Sequence, residues 1–347
     1  MTYDLLQRRL EDLGHEVRLV RNITDVDDPI FKRATELGLD YTQLASEETA
    51  SFQSVMELLH FRPAYAEPLA SSYIDQMAAA VQKLLDVGVA YSLEDDIYFD
   101  VSSDPAFGTF SGFSERLQLA FMKRRGGDPA RPGKRAPLDF LLWHGVTDPA
   151  DPAVWESVVG RGRPGWHIEC SVMAHELLGT PFDIHGGGDD LIFPHHECEV
   201  AQSKALGQPQ LAKHWMHVAP LLYLGEKMSK SLGNLIFAKD LLDNHAPNVI
   251  RLALLRYHYR TGGEWQPEFL EEAAELHAGL QKALLTCSES AASELLESIR
   301  RALDDDLDTH QIYHALHNFA ASAQPAVPDA KHYCSPAKTA LNLLGLG

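Results

Sequence analysis

Residues 182–199 read FDIHGGGDDLIFPHHECE, and no other stretch limits the fold so tightly. Three glycines stand before a hexapeptide, PHHECE at 194–199, that holds two histidines, two acids and a cysteine. Glycine has no Cβ, so HGGGDD lets backbone approach a ligand closely, although an ordinary flexible turn satisfies the same letters. If a helix begins near Pro194, the four-residue step places His195 and Glu199 on one face. WHIEC at 166–170 adds a thiol, Cys170. Thiolate, imidazole and carboxylate together suit zinc. A capped helix start beside a small core cysteine accounts for the same residues, and His196, Glu197 and Cys198 stand as substitute ligands.

Around this stretch the chain alternates in α/β fashion. Leu5, Leu6, Leu10 and Leu13 follow helical spacing, with Gly14 as a helix end. Val17–Val20 reads as a short buried strand running into the polar loop RNITDVDD. Loops beyond the carboxyl ends of strands collect ligands in open parallel sheets, which marks Asn22, Thr24, Asp25 and Asp27. An Asn/Asp-rich turn is the plainer reading of those four. Ile74, Met77, Val81 and Leu84–Leu85 lie near helical spacing, IYFDV at 97–101 is strand-like, and GGDPARPG breaks the chain. After 267 nearly everything is helical. The expected division is a first core segment at 1–45, a mostly helical insertion at 46–160, a second core segment at 161–262 and a helical region at 263–347.

The 347 residues carry a formal charge of -19, which lowers the expectation of a long polyanionic partner, although RRGGDPARPGKR at 124–135 is locally basic. Four cysteines, Cys170, Cys198, Cys287 and Cys334, are too few and too scattered for a disulfide framework. The first twenty residues carry charges where a signal peptide would be apolar, and no run of about 18 apolar residues occurs. The expectation is a cytoplasmic protein without a membrane span.

GEKMSKSLGN at 225–234 sets Lys227 and Lys230 beside two serines between glycines. Such a cationic loop can close on a triphosphate and stabilise charge on departing pyrophosphate. RNITDVDD, GRPGWHIEC, FDIHGGGDDL, FPHHE and KMSKS occur in one order across most of 17–240. Together they closely resemble the cysteinyl-tRNA synthetases and the related mycothiol-pathway cysteine ligases. The resemblance implies a class I synthetase-type, Rossmann-like nucleotide-binding core, interrupted by an insertion and followed by a C-terminal helical bundle. It implies one zinc ion on Cys170, His195 and Glu199 that binds the substrate thiol, and Mg2+ accompanying ATP. Zinc prefers sulfur to a hydroxyl, so serine is rejected by ligand chemistry rather than by size. By the same resemblance Trp166 lines the cysteine pocket, and Asn22, Ile23 and Thr24 border the adenylate. Gly188, Asp189 and Asp190 lie near nucleotide or aminoacyl contacts, Leu221 near adenine, and Lys227 and Lys230 neutralise phosphate.

Pro29, RGGDP at 125–129 and GEW at 263–265 look ligase-like, and little chain remains for an anticodon-binding region. Glu199, AQS and KSLGN look synthetase-like. The favoured expectation is a monomeric enzyme that activates L-cysteine with ATP and transfers it to the amine of glucosaminyl-inositol. A tRNA acceptor is the second reading, and a non-catalytic zinc- or nucleotide-binding relative the third. The resembled families open on a strand with a first zinc cysteine and a His-Ile-Gly-His helix start, whereas MTYDLLQRRL matches the continuation of that helix. On this ground the core is expected to be N-terminally incomplete and the chain unstable or weak in adenylate formation.

Overall fold

The computed structural model describes residues 1–148, 151–228, 233–323 and 334–347. The chain divides into two units, one of residues 18–49 and 64–217, the other of 1–17, 50–63 and 218–347.

In the first unit, the expected strand at Val17–Val20 is not a continuous one. Extended backbone there makes two isolated parallel bridges, Val20 with Ala66 and Ile23 with Leu69. The facing segment contains Pro68, which has no N–H to give, so the pairing stays broken. The bridges still fix the loop that follows: Ile23 N–H donates to Pro68 O at 2.8 Å and Ala70 N–H to Ile23 O at 3.0 Å. Asp25, buried, accepts from the Ser71 N–H at 2.9 Å and from its hydroxyl.

The spacing of Ile74, Met77, Val81 and Leu84–Leu85 predicts a helix, and Ile74–Asp86 buries all of these but Leu85, which stays half-buried. A four-stranded antiparallel sheet follows, with Ala90–Leu93, Asp96–Phe99, Phe140–Gly145 and Gly162–Pro164 adjacent in that order. Its core side is anchored by the fully buried Trp143 and by Phe99 stacked on Phe140 at 4.8 Å. The last strand feeds through Gly165 into the helix Trp166–Leu178. That helix packs against Ile74–Asp86 and Glu197–Ala205. Phe182–Gly188 and Ala212–Val218 form a separate strand pair.

In the second unit, the helix Thr2–Asp12 buries Asp4, Gln7, Arg8 and Arg9 alongside Leu5, while Leu13 is exposed. The apolar spacing finds the helix but not its buried face. The reason is Arg251, wholly buried, whose guanidinium donates to Asp4 Oδ2 at 2.5 Å, Leu344 O at 2.7 Å and Leu59 O at 2.9 Å. A buried guanidinium needs a partner, and Asp4 supplies the charge.

Leu221–Tyr223 pairs antiparallel with Glu226–Lys227 and parallel with Gly263–Glu264. The connecting residues Leu224 and Gly225 both have positive φ, 57° and 75°, as a two-residue hairpin turn of the right twist demands. The helical region expected after 267 is present as Glu268–Leu284, Glu289–Asp304, Thr309–Ala321 and Ser335–Leu343. Cys287 and Cys334 are joined by a disulfide, which the scattered spacing gave no reason to expect. Their separation of 47 residues says nothing about distance once helices fold back on one another. No helix among the described residues is long and apolar enough to cross a membrane.

Candidate metal centre

Two elements of the first unit converge on one buried polar cluster. The helix Trp166–Leu178 brings Trp166, His167, Glu169 and Cys170 from one side. From the other comes PHHECE, where Phe193 is extended (φ -140°, ψ 134°) and the regular helix starts only at Glu197. His195 therefore sits in the turn before the helix. The four-residue step still delivers it to Glu199, with Nε2 at 3.1 Å from Oε1.

One ligand atom each from Cys170, His195 and Glu199 lie within 4.8 Å of one another. His185, His196 and Glu199 make a second set within the same limit. Glu199 is 0 % exposed, and neither of its oxygens has a hydrogen-bonding donor aligned with it. An unsatisfied buried carboxylate is costly unless a cation stands beside it. That is the observation against which a metal is tested here, and the donor set fits one: thiol, imidazole and carboxylate are ligands zinc accepts. Outer partners orient the rings, as metal-binding histidines require. His195 Nδ1 stands 2.9 Å from His167 Nδ1, and His196 Nδ1 stands 2.8 Å from His217 Nε2. The Trp166 ring lies 4.4 Å from that of His195.

Electrostatics agree with the geometry. Burial, then the charges of Glu199 and Glu169, push the Cys170 thiol well above its usual range. Burial pulls His167 well down and His196 to about 3, so both imidazoles are neutral. Burial works against the Glu199 carboxylate too, but the attraction of His185 and His195 outweighs it and holds the group well below the ordinary range. A divalent ion at this place would displace the thiol proton and leave each imidazole a lone pair to give.

The substitute ligands separate. His196 belongs to the second set. Glu197 faces elsewhere, accepting the backbone N–H of Gly108 and Ser111, each at 2.8 Å. Cys198 is packed in the hydrophobic core. Within the glycine run, a Cβ on Gly187 would stand 2.9 Å from His196 Cε1, so this glycine admits an imidazole. Asp189 and Asp190 open a 3₁₀ turn after Gly188, and Asp190 is ion-paired with Arg125 of the basic segment. In the loop at 22–24, Asn22 Nδ2 donates to Thr24 Oγ1 at 3.0 Å. Burial, then Asp27 and Asp25, push the Glu169 carboxyl well above its usual range, which ties the Trp166 helix electrostatically to that loop.

Leu221 and Lys227 belong to the other unit, where they line a cavity of about 400 Å³ together with Ile236, Leu254 and Trp265. Lys230 lies outside the described residues. Sequence reasoning missed His167, His185, Trp215 and His217. The only trace of the last two is the alternation in KHWMHV, which puts Trp215 and His217 on one face of their strand.

Residues 1–275 match the family model described as tRNA synthetases class I (C) catalytic domain. The chain is 43% identical over 309 residues to the L-cysteine:1D-myo-inositol 2-amino-2-deoxy-alpha-D-glucopyranoside ligase of Thermobispora bispora, spanning 89% of this chain and 76% of that one. It is 42% identical over 352 residues to the ligase 2 of that name from Corynebacterium jeikeium, spanning 99% and 84%. Among solved structures, Mycobacterium tuberculosis methionyl-tRNA synthetase in complex with methionyl-adenylate superposes with a TM-score of 0.66 at 16% identity, over 99% of this chain and 84% of that one. At that identity the likeness speaks for the fold alone: a class I synthetase catalytic fold, mixed α/β with C-terminal helices. The chain belongs to the class I (C) tRNA synthetase catalytic-domain family, in the company of its cysteine:glucosaminyl-inositol ligases.

Proposed function

We propose that this protein activates L-cysteine as its adenylate and transfers the cysteinyl group to the amine of glucosaminyl-inositol, the acceptor in the names of its relatives. The reading rests on one observation above the others: ligand atoms of the half-buried Cys170 and the buried His195 and Glu199 lie within 4.8 Å of one another. In the first step a cysteine carboxylate oxygen bonds to the α-phosphorus of ATP, and the bond to the bridging oxygen breaks, releasing pyrophosphate with Mg2+. In the second the acceptor nitrogen bonds to the acyl carbon, loses a proton, and AMP leaves.

Cys170, His195 and Glu199 hold one zinc ion, which supplies a Lewis acid with a stronger preference for thiolate than for hydroxyl. Trp166, whose ring lies 4.4 Å from that of His195, walls the cysteine pocket. Asn22, Ile23 and Thr24 border the adenylate, and Gly188, Asp189 and Asp190 face the nucleotide and the aminoacyl group. The apolar cavity beside Leu221 takes the adenine, and Lys227 with Lys230 neutralises charge on the departing phosphates. The core is Rossmann-like in this reading, and the enzyme acts in the cytoplasm as a monomer.

The test is a single-turnover assay with enzyme in excess, supplying ATP and radiolabelled cysteine with either glucosaminyl-inositol or tRNA. The expected product is cysteinyl-glucosaminyl-inositol, with serine giving none. Transfer to tRNA instead, or equal use of serine, overturns the proposal.

A further inference from the structure

The zinc reading employs one imidazole and one side of Glu199, and leaves a second set of donors unaccounted for. Glu199 Oε1 faces His195 Nε2 at 3.1 Å, whereas Oε2 faces His185 Nε2 at 3.4 Å. His196 Nε2 turns to the same carboxylate, 4.0 Å from Oε1. The His185 and His196 rings meet edge to face at 4.7 Å. The arrangement repeats that around Cys170: a ligand-competent imidazole whose other nitrogen is held by a further histidine. His217 does for His196 what His167 does for His195. Gly187 is the residue that makes room for the His196 ring. Oε2, like Oε1, is buried with an imidazole nitrogen beside it but no aligned hydrogen-bond donor.

We propose that His185, His196 and Glu199 form a second, sulfur-free position for a borderline-soft divalent cation such as Zn2+ or Co2+. Two imidazoles and a carboxylate are a sufficient protein donor set for such an ion and leave a fourth coordination position open. Hard cations that need oxygen ligands, such as Mg2+ and Ca2+, are excluded by the nitrogen donors. The proposal depends on the zinc reading only through the shared Glu199, whose Oε2 faces His185 and whose Oε1 faces His195 and, farther off, His196.

Cobalt separates the two positions, because a thiolate ligand gives an intense near-ultraviolet charge-transfer band that nitrogen and oxygen ligands do not. The Cys170→Ala protein is expected to lack that band yet still bind one equivalent of Co2+, seen by its visible bands and by equilibrium dialysis. Adding His195→Gln to Cys170→Ala is expected to change the affinity less than threefold. Adding His185→Gln or His196→Gln is expected to weaken it at least tenfold, with circular dichroism reporting an intact fold. Two substitutions on different elements guard against a local folding defect in either. Loss of cobalt in Cys170→Ala or in Cys170→Ala/His195→Gln, or unchanged binding when both His185 and His196 variants are folded, overturns the second position. Failure of the zinc reading shows separately, as a missing charge-transfer band in the unsubstituted protein.

Discussion

Glu199 keeps its charge at full burial, with imidazoles at 3.1 and 3.4 Å and no aligned donor. A side chain in that position is stable only as part of a set, and its neighbours are correspondingly sensitive. His167 touches no substrate in the proposed reaction; it stands behind His195 at 2.9 Å and fixes the ring. His167→Ala is expected to weaken zinc binding by roughly 10–100-fold, the usual cost of losing an outer partner of a metal-bound histidine. Competition against a chromogenic chelator measures it, and unchanged affinity would remove His167 from the centre. The Trp166 ring lies 4.4 Å from that of His195, tilted by 34°, so Trp166→Ala is expected to raise the KM for cysteine more than it lowers kcat.

At the scale of elements, the loop at 108–111 hangs on one carboxylate. Glu197 accepts N–H from Gly108 and Ser111 at 2.8 Å, and Phe110 then rests on Trp215 at 4.7 Å. Hydrogen bonds to a charged acceptor contribute about 1.5–3 kcal/mol each, so Glu197→Gln is expected to loosen this loop and to speed amide hydrogen exchange at 108–111 selectively. The hairpin that presents Lys227 is a second such element: Gly225 at φ 75° is expected to cost about 1 kcal/mol when replaced by alanine. Elements whose stability is local were legible in the sequence. The helix Ile74–Asp86 follows from its apolar period, and the step from His195 to Glu199 from helical spacing. What depends on a distant partner was not. Val17–Val20 has strand composition but faces a segment interrupted by Pro68. Cys170 is found by residue type, yet His185, His196 and His217 become neighbours only when the strands 182–188 and 212–218 pair. Spacing along one helix cannot report that.

For the molecule as a whole, the longest lever lies in the unit that contains the chain's first and last residues. Arg251 is 0 % exposed and joins Asp4 to the carbonyls of Leu59 and Leu344. Leaving one charge of such a pair without its partner costs roughly 3–5 kcal/mol, so Arg251→Ala is expected to lower the urea midpoint strongly without altering metal content. Burial would raise the Asp4 carboxyl, but Arg251 prevails and holds it below the usual value of 3.8. A carboxylate depressed in the folded state contributes stability that is complete above about pH 4 and is lost as pH falls through the folded value. Asp4→Asn should therefore be less stable at neutral pH and show a flatter loss of stability in acid, measured by urea unfolding at pH 3, 4 and 7. The formal charge of -19 belongs to this scale too: it offers a polyanion no general attraction, in keeping with a small-molecule acceptor.

The central claim is that a thiolate-bearing metal centre at Cys170, His195 and Glu199 recognises the incoming amino acid by its sulfur. Adding L-cysteine to the cobalt-loaded protein tests it most directly. The account predicts a marked rise in sulfur-to-cobalt charge-transfer absorbance with cysteine and none with serine, both on a band already present and dependent on Cys170. An identical response to both amino acids, or a band that survives Cys170→Ala before any cysteine is added, would contradict it.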